Sequence, residues 1–450
     1  MTMSRQTNCS RKYRMAITLA VATVLWSAAA LQASDQPPHP LIYFLEKALQ
    51  SNPRILEAEA NLRATRERDR QTLAPLLPQI TLQGAVGYDR LHSPDGTTDS
   101  NPRSGTLSVS QSLFNWQSIK ARDQVEFYTA AAALDLDATQ QGVVQLVVES
   151  AITFAQAREV ERLAANNLAV TQRHLEATQA RFQVGELPKT DVSQAKARLE
   201  SARAEHIQYG NEVLVAIAKF REAVGENPPH DLTAPRLNGA LFTKPLSELL
   251  PVVEQRPEVE SALQRVRIAD LNITLARAGH LPVVALTGTA VRSWNDLYTG
   301  AGRTNPVDQQ TVKVGMTLPV YEGGKTVSLT DQARHQRDSQ QAVYDQTRLQ
   351  AARDLEQNLL LYHTTRTSTE AYAASVTAAR DALAGIEQEF RVGSRTAIDL
   401  LDAQHELFTA ETNLTRSRFN FIQSQYRLLR SVGQLTLDVL SAQAVVSNPS

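Results

Sequence analysis

Residues 390–403 read FRVGSRTAIDLLDA, and residues 182–195 read FQVGELPKTDVSQA. Both stretches set a Phe before Val-Gly, an Asp six residues after that Gly, and an Ala four further on. The spacing between them, 208 residues, also pairs Leu199 with Leu407, Ala202 with Ala410, and Val224-Gly225 with Val432-Gly433. Upstream a spacing of 204 pairs Asn52-Pro53 with Arg256-Pro257 and Leu77-Pro78 with Leu281-Pro282. A repeat of this size is too long for a solenoid unit, so the chain is a duplicated half-protein. The halves read as residues 34–225 and 246–433, with a Pro-rich linker at 226–245 and a tail at 434–450.

Each half follows one order: helix, two strands, two very long helices. No Pro interrupts residues 118–182 or 325–390. At ~1.5 Å per residue each would make a helix of roughly 95 Å, a length typical of coiled coils. Shorter partners are predicted over 188–224 and 396–432. In the latter, Leu400, Ala403, Leu407, Ala410, Leu414, Ser417, Phe421, Ser424 and Leu428 step alternately by three and four. Val192, Ala195, Leu199, Ala202, His206, Tyr209, Val213, Ala216 and Phe220 repeat that step in the first half. A 3.5-residue period specifies left-handed coiled-coil packing. The many Ala, Ser and Gln positions suit close packing around a solvent-lined tube.

The strands are predicted at about 79–91, 104–114, 282–294 and 310–321, where apolar and polar residues alternate. Leu107, Val109 and Leu113 fall on one face and Thr106, Ser108, Ser110 and Ser112 on the other. Pro94, Asp95-Gly96 and Asn101-Pro102 mark a loop in the first pair, and Asn305-Pro306 marks one in the second. In the second pair Val312, Val314, Met316, Leu318 and Val320 form the apolar face. Asn52-Pro53 predicts a break within the helical stretch 41–73.

The chain has 450 residues, a formal net charge of -1 and one Cys. Near-neutrality argues against a nucleic-acid partner, and a lone Cys excludes a disulfide framework and a thiolate zinc site. The nine His residues, His174 and His206 among them, show no metal spacing. Phosphate loops, nucleophile elbows and zinc signatures are missing, so the residues call for no enzyme and no cofactor.

Residues 1–33 read as a secretory signal peptide. Arg5, Arg11, Lys12 and Arg14 precede an apolar core from Met15 to Leu31, with cleavage expected after Ala30 or Ala33. Cleavage would remove Cys9, which precedes the apolar core and so is not placed for lipid attachment. No other apolar run reaches the ~18 residues of a transmembrane helix, so any membrane crossing must use strands. Four strands cannot close a barrel, since about eight is the smallest, and open edges cannot exist in lipid. Two readings follow: a small soluble sheet, as in a secreted periplasmic coiled-coil scaffold or adhesin without a pore, or strands pooled by several chains. Three chains would supply twelve.

The duplication, the Val-Gly turn followed by an Asp-headed helix, and Pro319-Val320-Tyr321-Glu322-Gly323 before a long helix resemble the TolC family of outer-membrane efflux channels. The resemblance spans essentially the whole chain after the signal peptide and is most specific over 390–403. It implies a mainly α chain with a transmembrane β-barrel: a homotrimer whose twelve-stranded barrel continues into an α-helical periplasmic tunnel. It further implies a periplasmic adaptor, an inner-membrane transporter of RND, ABC or MFS type, and contact with outer-membrane lipid. The role implied is a passive duct for efflux or type I secretion.

By the same resemblance Asp399 and Asp402 line a constriction at the periplasmic mouth, although acids in a first helical turn also complement the helix dipole. Asp191 and Arg395 match positions that latch the two hairpins together. Val184, Gly185, Val392 and Gly393 form the turns, where Gly supplies a left-handed cap, and the resemblance makes them adaptor contacts. Phe390 replaces a Tyr of the family and removes a hydroxyl from the latch, with Arg391 the candidate to compensate. The first-half corner Ser112-Leu113-Phe114-Asn115-Trp116 lacks the Pro and Gly of its counterpart. Trp116, Trp294, Tyr88, Phe114 and Tyr321 are candidates for interfacial girdles.

Overall fold

The computed structural model describes residues 40–94, 96–233, 237, 244–294 and 306–446. The signal-peptide segment lies outside them, as do Asp95, most of 234–243 and Asn305. Helix α1 (Pro40–Ser51) and α2 (Pro53–Arg66) meet at Asn52. Its Oδ1 accepts from the Arg54 N–H at 3.0 Å, capping α2, and its Nδ2 donates to the Ala223 carbonyl at 3.0 Å. The predicted break is therefore also an anchor point. Helix α3 (Arg68–Leu73) leads into strand β1 (Gln79–Val86).

Strands β2 (Asp89–Ser93) and β3 (Gly96–Ser100) follow as a separate hairpin, then β4 (Arg103–Asn115). This corrects the reading of one strand over 79–91 followed by a loop. The Gly87 N–H donates to the Pro102 carbonyl at 2.9 Å, closing the first ladder, and the chain restarts pairing beyond it. Within the hairpin Arg90 lies directly opposite Asp99, and the two form a 2.7 Å ion pair. Such an opposed pair stabilises a short ribbon that has no core of its own.

The first long hairpin is α4 (Trp116–Gln183) and α5 (Lys189–Val224). Helices α6 (Leu246–Val253) and α7 (Pro257–Arg277) open the second half, followed by strands β5 (Val283–Trp294) and β6 (Val307–Thr317). The second long hairpin is α8 (Lys325–Arg391) and α9 (Ala397–Ser431), and α10 (Leu437–Val446) closes the chain. Strand β6 ends before Leu318, Val320 and Tyr321, which the sequence reading placed within it. Pro319 has no N–H to offer a ladder.

The four longer strands form one antiparallel sheet in the order β1-β4-β5-β6. Its register aligns Leu82 with Leu107 and Ala290, and Ile80 with Val109, Gly288 and Val312. Leu286 stands opposite Val314, and Val284 opposite Met316, on that same face. The alternate positions align Thr81, Ser108, Thr289 and Thr311, so the other face is polar. A β-bulge between Ser112 and Phe114 then shifts the alternation, and Phe114 rather than Leu113 stands opposite Val284. One extra residue reverses which face a strand presents, which is why Leu113 leaves the predicted stripe.

The bulge also answers the missing Pro and Gly at this corner. Strand β4 passes directly into α4 at Asn115, whose side chain accepts from the Ser118 N–H at 3.2 Å. The matching corner before α8 instead uses Gly323 and Gly324 at φ +62 and +83. Aromatic residues fall at both ends of the sheet, Tyr88 and Trp294 at one and Phe114 and Trp116 at the other.

The core lies midway along the long helices. Phe44 of α1 meets Phe220 of α5 edge to face at 5.3 Å, beside Val147, Val148 and Tyr426. Linker residues Leu232 and Leu237 are buried there, and Gln425 exchanges two hydrogen bonds with the Leu237 backbone, at 3.2 and 2.9 Å. Helix α7 lies against α4 through Ser261 and Arg265, both bonded to Asp135, and through Gln124 bonded to Asn272.

Candidate functional site at the hairpin tips

Far from the sheet, the two long hairpins turn with one geometry. After α4, Gly185 sits at φ +81, its N–H donates to the Phe182 carbonyl at 3.0 Å, and the Glu186 N–H reaches Arg181 at 2.9 Å. After α8, Gly393 sits at φ +81 with the matching bonds to Phe390 at 3.2 Å and from Ser394 to Glu389 at 2.9 Å. Nothing lies within 4 Å of where a Cβ would stand on either glycine. The left-handed backbone alone calls for glycine. Val184 and Val392 are 73% and 81% exposed, apolar side chains held into solvent at the apex of each hairpin.

The two acids singled out from the sequence have different surroundings. Asp399 closes a capping box with Thr396: its Oδ2 accepts from the Thr396 N–H at 3.0 Å and from the Thr396 hydroxyl at 2.8 Å. The backbone and hydroxyl bonds from Thr396, and more weakly the Arg395 guanidinium, hold the Asp399 carboxyl below the ordinary range. Asp399 is therefore ionised throughout the neutral range. Asp402, one turn on, accepts at Oδ1 from Nη2 of Arg198 on α5, at 2.5 Å.

Asp191 and Arg395 are not brought together within the chain. The Arg395 Nε donates to Glu389 of its own hairpin at 2.8 Å, while Asp191, in the first turn of α5, accepts from the neighbouring Thr190 hydroxyl at 3.4 Å. The halves differ here because Pro188 occupies the N-cap that Thr396 fills in the second half, so Asp191 has no capping hydroxyl three residues before it. Phe390 has a partner, but it is Arg181 of α4, whose guanidinium lies 4.9 Å from the ring centre, and not Arg391.

Sequence reading missed Arg181 and Arg198, and also the packing that places them. Helix α9 buries two stripes. The predicted one, from Leu400 to Leu428, packs on α8 at its tip end with Val376 and Leu383, and further up through Thr369–Ser417 and Thr365–Ser424 hydrogen bonds at 2.8 and 3.1 Å. A second, at Leu401, Phe408, Thr415, Ile422 and Leu429, repeats every seven residues and is also buried. From it Leu401 enters Leu175, Ala195 and Leu199 of the first hairpin, and Phe408 meets Leu163 and Ala164. That strict period of seven was the legible signal.

The family model for outer membrane efflux proteins matches residues 44–226 and 251–434. The chain belongs to this family. Proteins it is similar to include the outer membrane protein TolC of Vibrio cholerae, 29% identical over 88% of this chain and 92% of that protein. BepC of Brucella suis, named an outer membrane efflux protein, is 27% identical over 96% and 93%. Among solved structures, the outer-membrane channel OprN superposes with a TM-score of 0.75 at 21% identity, covering 88% of this chain and 90% of that one. CusC gives 0.75 at 18%, covering 89% and 95%. This chain is thus an outer membrane efflux protein, with the fold of the solved outer-membrane channel it superposes on. The reading of a pore-free scaffold or adhesin finds no support in these relatives.

Proposed function

We propose that three copies of this outer membrane efflux protein form one passive duct. The carrying observation is the sheet: four strands, one face apolar and the other polar, with the outer edges of β1 and β6 left without a partner among the described residues. Ile80, Leu82, Val312 and Val314 stand exposed on those edges. Lipid does not tolerate open edges, and joining β1 of one copy to β6 of the next satisfies them in a twelve-stranded barrel. The polar face then lines water, and the helices continue the lumen.

At the far end the acids Asp399 and Asp402 would ring the mouth and favour cations by their field. The Asp191–Arg395 latch would operate between chains or in another state of the tip, since Arg395 is held by Glu389 here. Exposed Val184 and Val392, each beside a Gly turn, suit docking of an adaptor's helical hairpin, with an inner-membrane transporter supplying substrate and energy.

The test is electrophoretic migration of detergent-extracted protein with and without boiling, then single-channel recording in a planar bilayer under a salt gradient. A heat-dissociable trimer giving cation-selective steps supports the duct. Monomer that never inserts refutes it.

A further inference from the structure

We infer that Arg198 is a selectivity-determining residue: it holds Asp402 as the counter-ion of a bridge between the two hairpins, so that Asp402 joins the constriction's free charge only when the hairpins part. This rests on the duct reading above and goes beyond it by giving the two acids separate roles.

The packing sets up the bridge. Leu401 is seated among Leu175, Ala195 and Leu199, which fixes the height and rotation of α9 against the first hairpin. Arg198 and Asp402 are the sequence neighbours of Leu199 and Leu401, so the seated leucine delivers the carboxylate to the guanidinium. The contact joins residues 204 apart in sequence and ties α5 to α9. A second bridge, Arg181 over Phe390, ties α4 to α8, so each helix of one hairpin is linked to a helix of the other near the tip.

Among the described residues Asp399 has no such cross-hairpin partner. Its bonds run to Thr396 on its own helix, and they survive any rigid movement of one hairpin past the other. Asp402 is the opposite case, because a rigid swing that separates α5 from α9 must pull Arg198 away. Three copies would then change from three unpaired carboxylates to six. Opening and selectivity become one event, with Arg198 as the coupling residue.

The experiment compares wild type, Asp399→Asn, Arg198→Gln, Asp402→Asn and the exchanged pair Arg198→Asp with Asp402→Arg, each as a trimer in planar bilayers. Conductance and reversal potential are read together. Arg198→Gln should raise conductance and also raise the cation-to-anion permeability ratio about two-fold, because the unpaired carboxylates double. Asp402→Asn should raise conductance without raising the ratio, since it breaks the bridge but frees a guanidinium rather than a carboxylate. The exchanged pair should return both readings toward wild type. The inference is overturned if Arg198→Gln moves neither reading, if the exchange restores neither, or if Asp402→Asn raises the ratio as Arg198→Gln does. A wild-type trimer without cation preference, or one indifferent to Asp399→Asn, overturns the constriction reading and this inference with it. Failure confined to the Arg198 variants overturns this inference alone.

Discussion

Nη2 of Arg430, at the end of α9, donates to Oε1 of Glu258, in the first turn of α7, at 2.5 Å. Around this pair, Arg430 also reaches Gln141 of α4 at 3.1 Å, and Gln141 donates to the Gly433 carbonyl at 2.9 Å. Arg256 lies 3.6 Å from the other Glu258 oxygen. Three elements distant in sequence are thus locked where α7 crosses the long helices, around one carboxylate shared by two largely buried guanidiniums.

Replacing that carboxylate should therefore cost more than an ordinary surface pair. Glu258→Ala strands two positive charges with little water, and a loss of about 2 kcal/mol is expected, below the full cost of a buried pair because the group is partly exposed. Burial pushes the Glu258 carboxyl up, but Arg430, its own backbone amide and Arg256 together outweigh this and hold it below the ordinary value. A depressed carboxyl stabilises the fold above the ordinary glutamate range and stops doing so as pH falls through its folded value. Thermal unfolding of the detergent-solubilised protein should show wild type losing its advantage over Glu258→Gln in acid. Parallel pH curves would refute this.

Leu401→Ala should loosen the second α9 stripe without touching the first. Truncating a buried leucine costs about 2–4 kcal/mol, and here the cavity opens between hairpins. We expect lower thermal stability together with larger single-channel conductance. An equal loss of stability with unchanged conductance would mean that this seam plays no part in the gate.

At Gly393 the backbone, not space, is the constraint. Gly393→Asn should be tolerated, because Asn enters the left-handed region readily, whereas Gly393→Val adds roughly 1–2 kcal/mol of strain at the turn. Dye efflux from cells, normalised to trimer in the outer membrane, should fall for Val and hold for Asn. Equal failure of both variants would place the requirement in the side chain.

The two faces of the sheet should tolerate charge unequally. Val314→Arg places a cation on the apolar face, at a cost of about 2–4 kcal/mol near the bilayer midplane. Thr289→Arg places one on the polar face. The first should reduce heat-resistant trimer in outer-membrane fractions and the second should leave it. The reverse pattern would invert the assignment of lumen and lipid.

Much of this molecule is written in short-range pattern. The Val-Gly turns, the Asp-headed helices, the 3.5-residue period on α9 and the alternation of Thr106 to Ser110 each depend on neighbours within a few residues. Helix and strand periodicity are local consequences of backbone geometry. The same is true of Asp399, whose partner Thr396 lies three positions away. What failed to show were features that depend on register between distant segments. Pairing of β4 with β5 joins the two halves into one sheet, and the bulge at Ser112 to Phe114 decides which aromatic faces outward. Leu113 therefore ends off the stripe that simple alternation assigns it.

The sequence by itself determined the duplicated architecture, the long helices and their turns, because each unit is specified by residues that touch along one chain segment. Only the tertiary structure decided that Arg395 turns to Glu389, that Phe390 receives Arg181, and that Asp402 is answered by Arg198. Those pairings follow from how far one helix slides and rotates against another, and that is set by the seating of Leu401 among Leu175, Ala195 and Leu199 rather than by any spacing a single strand of sequence contains.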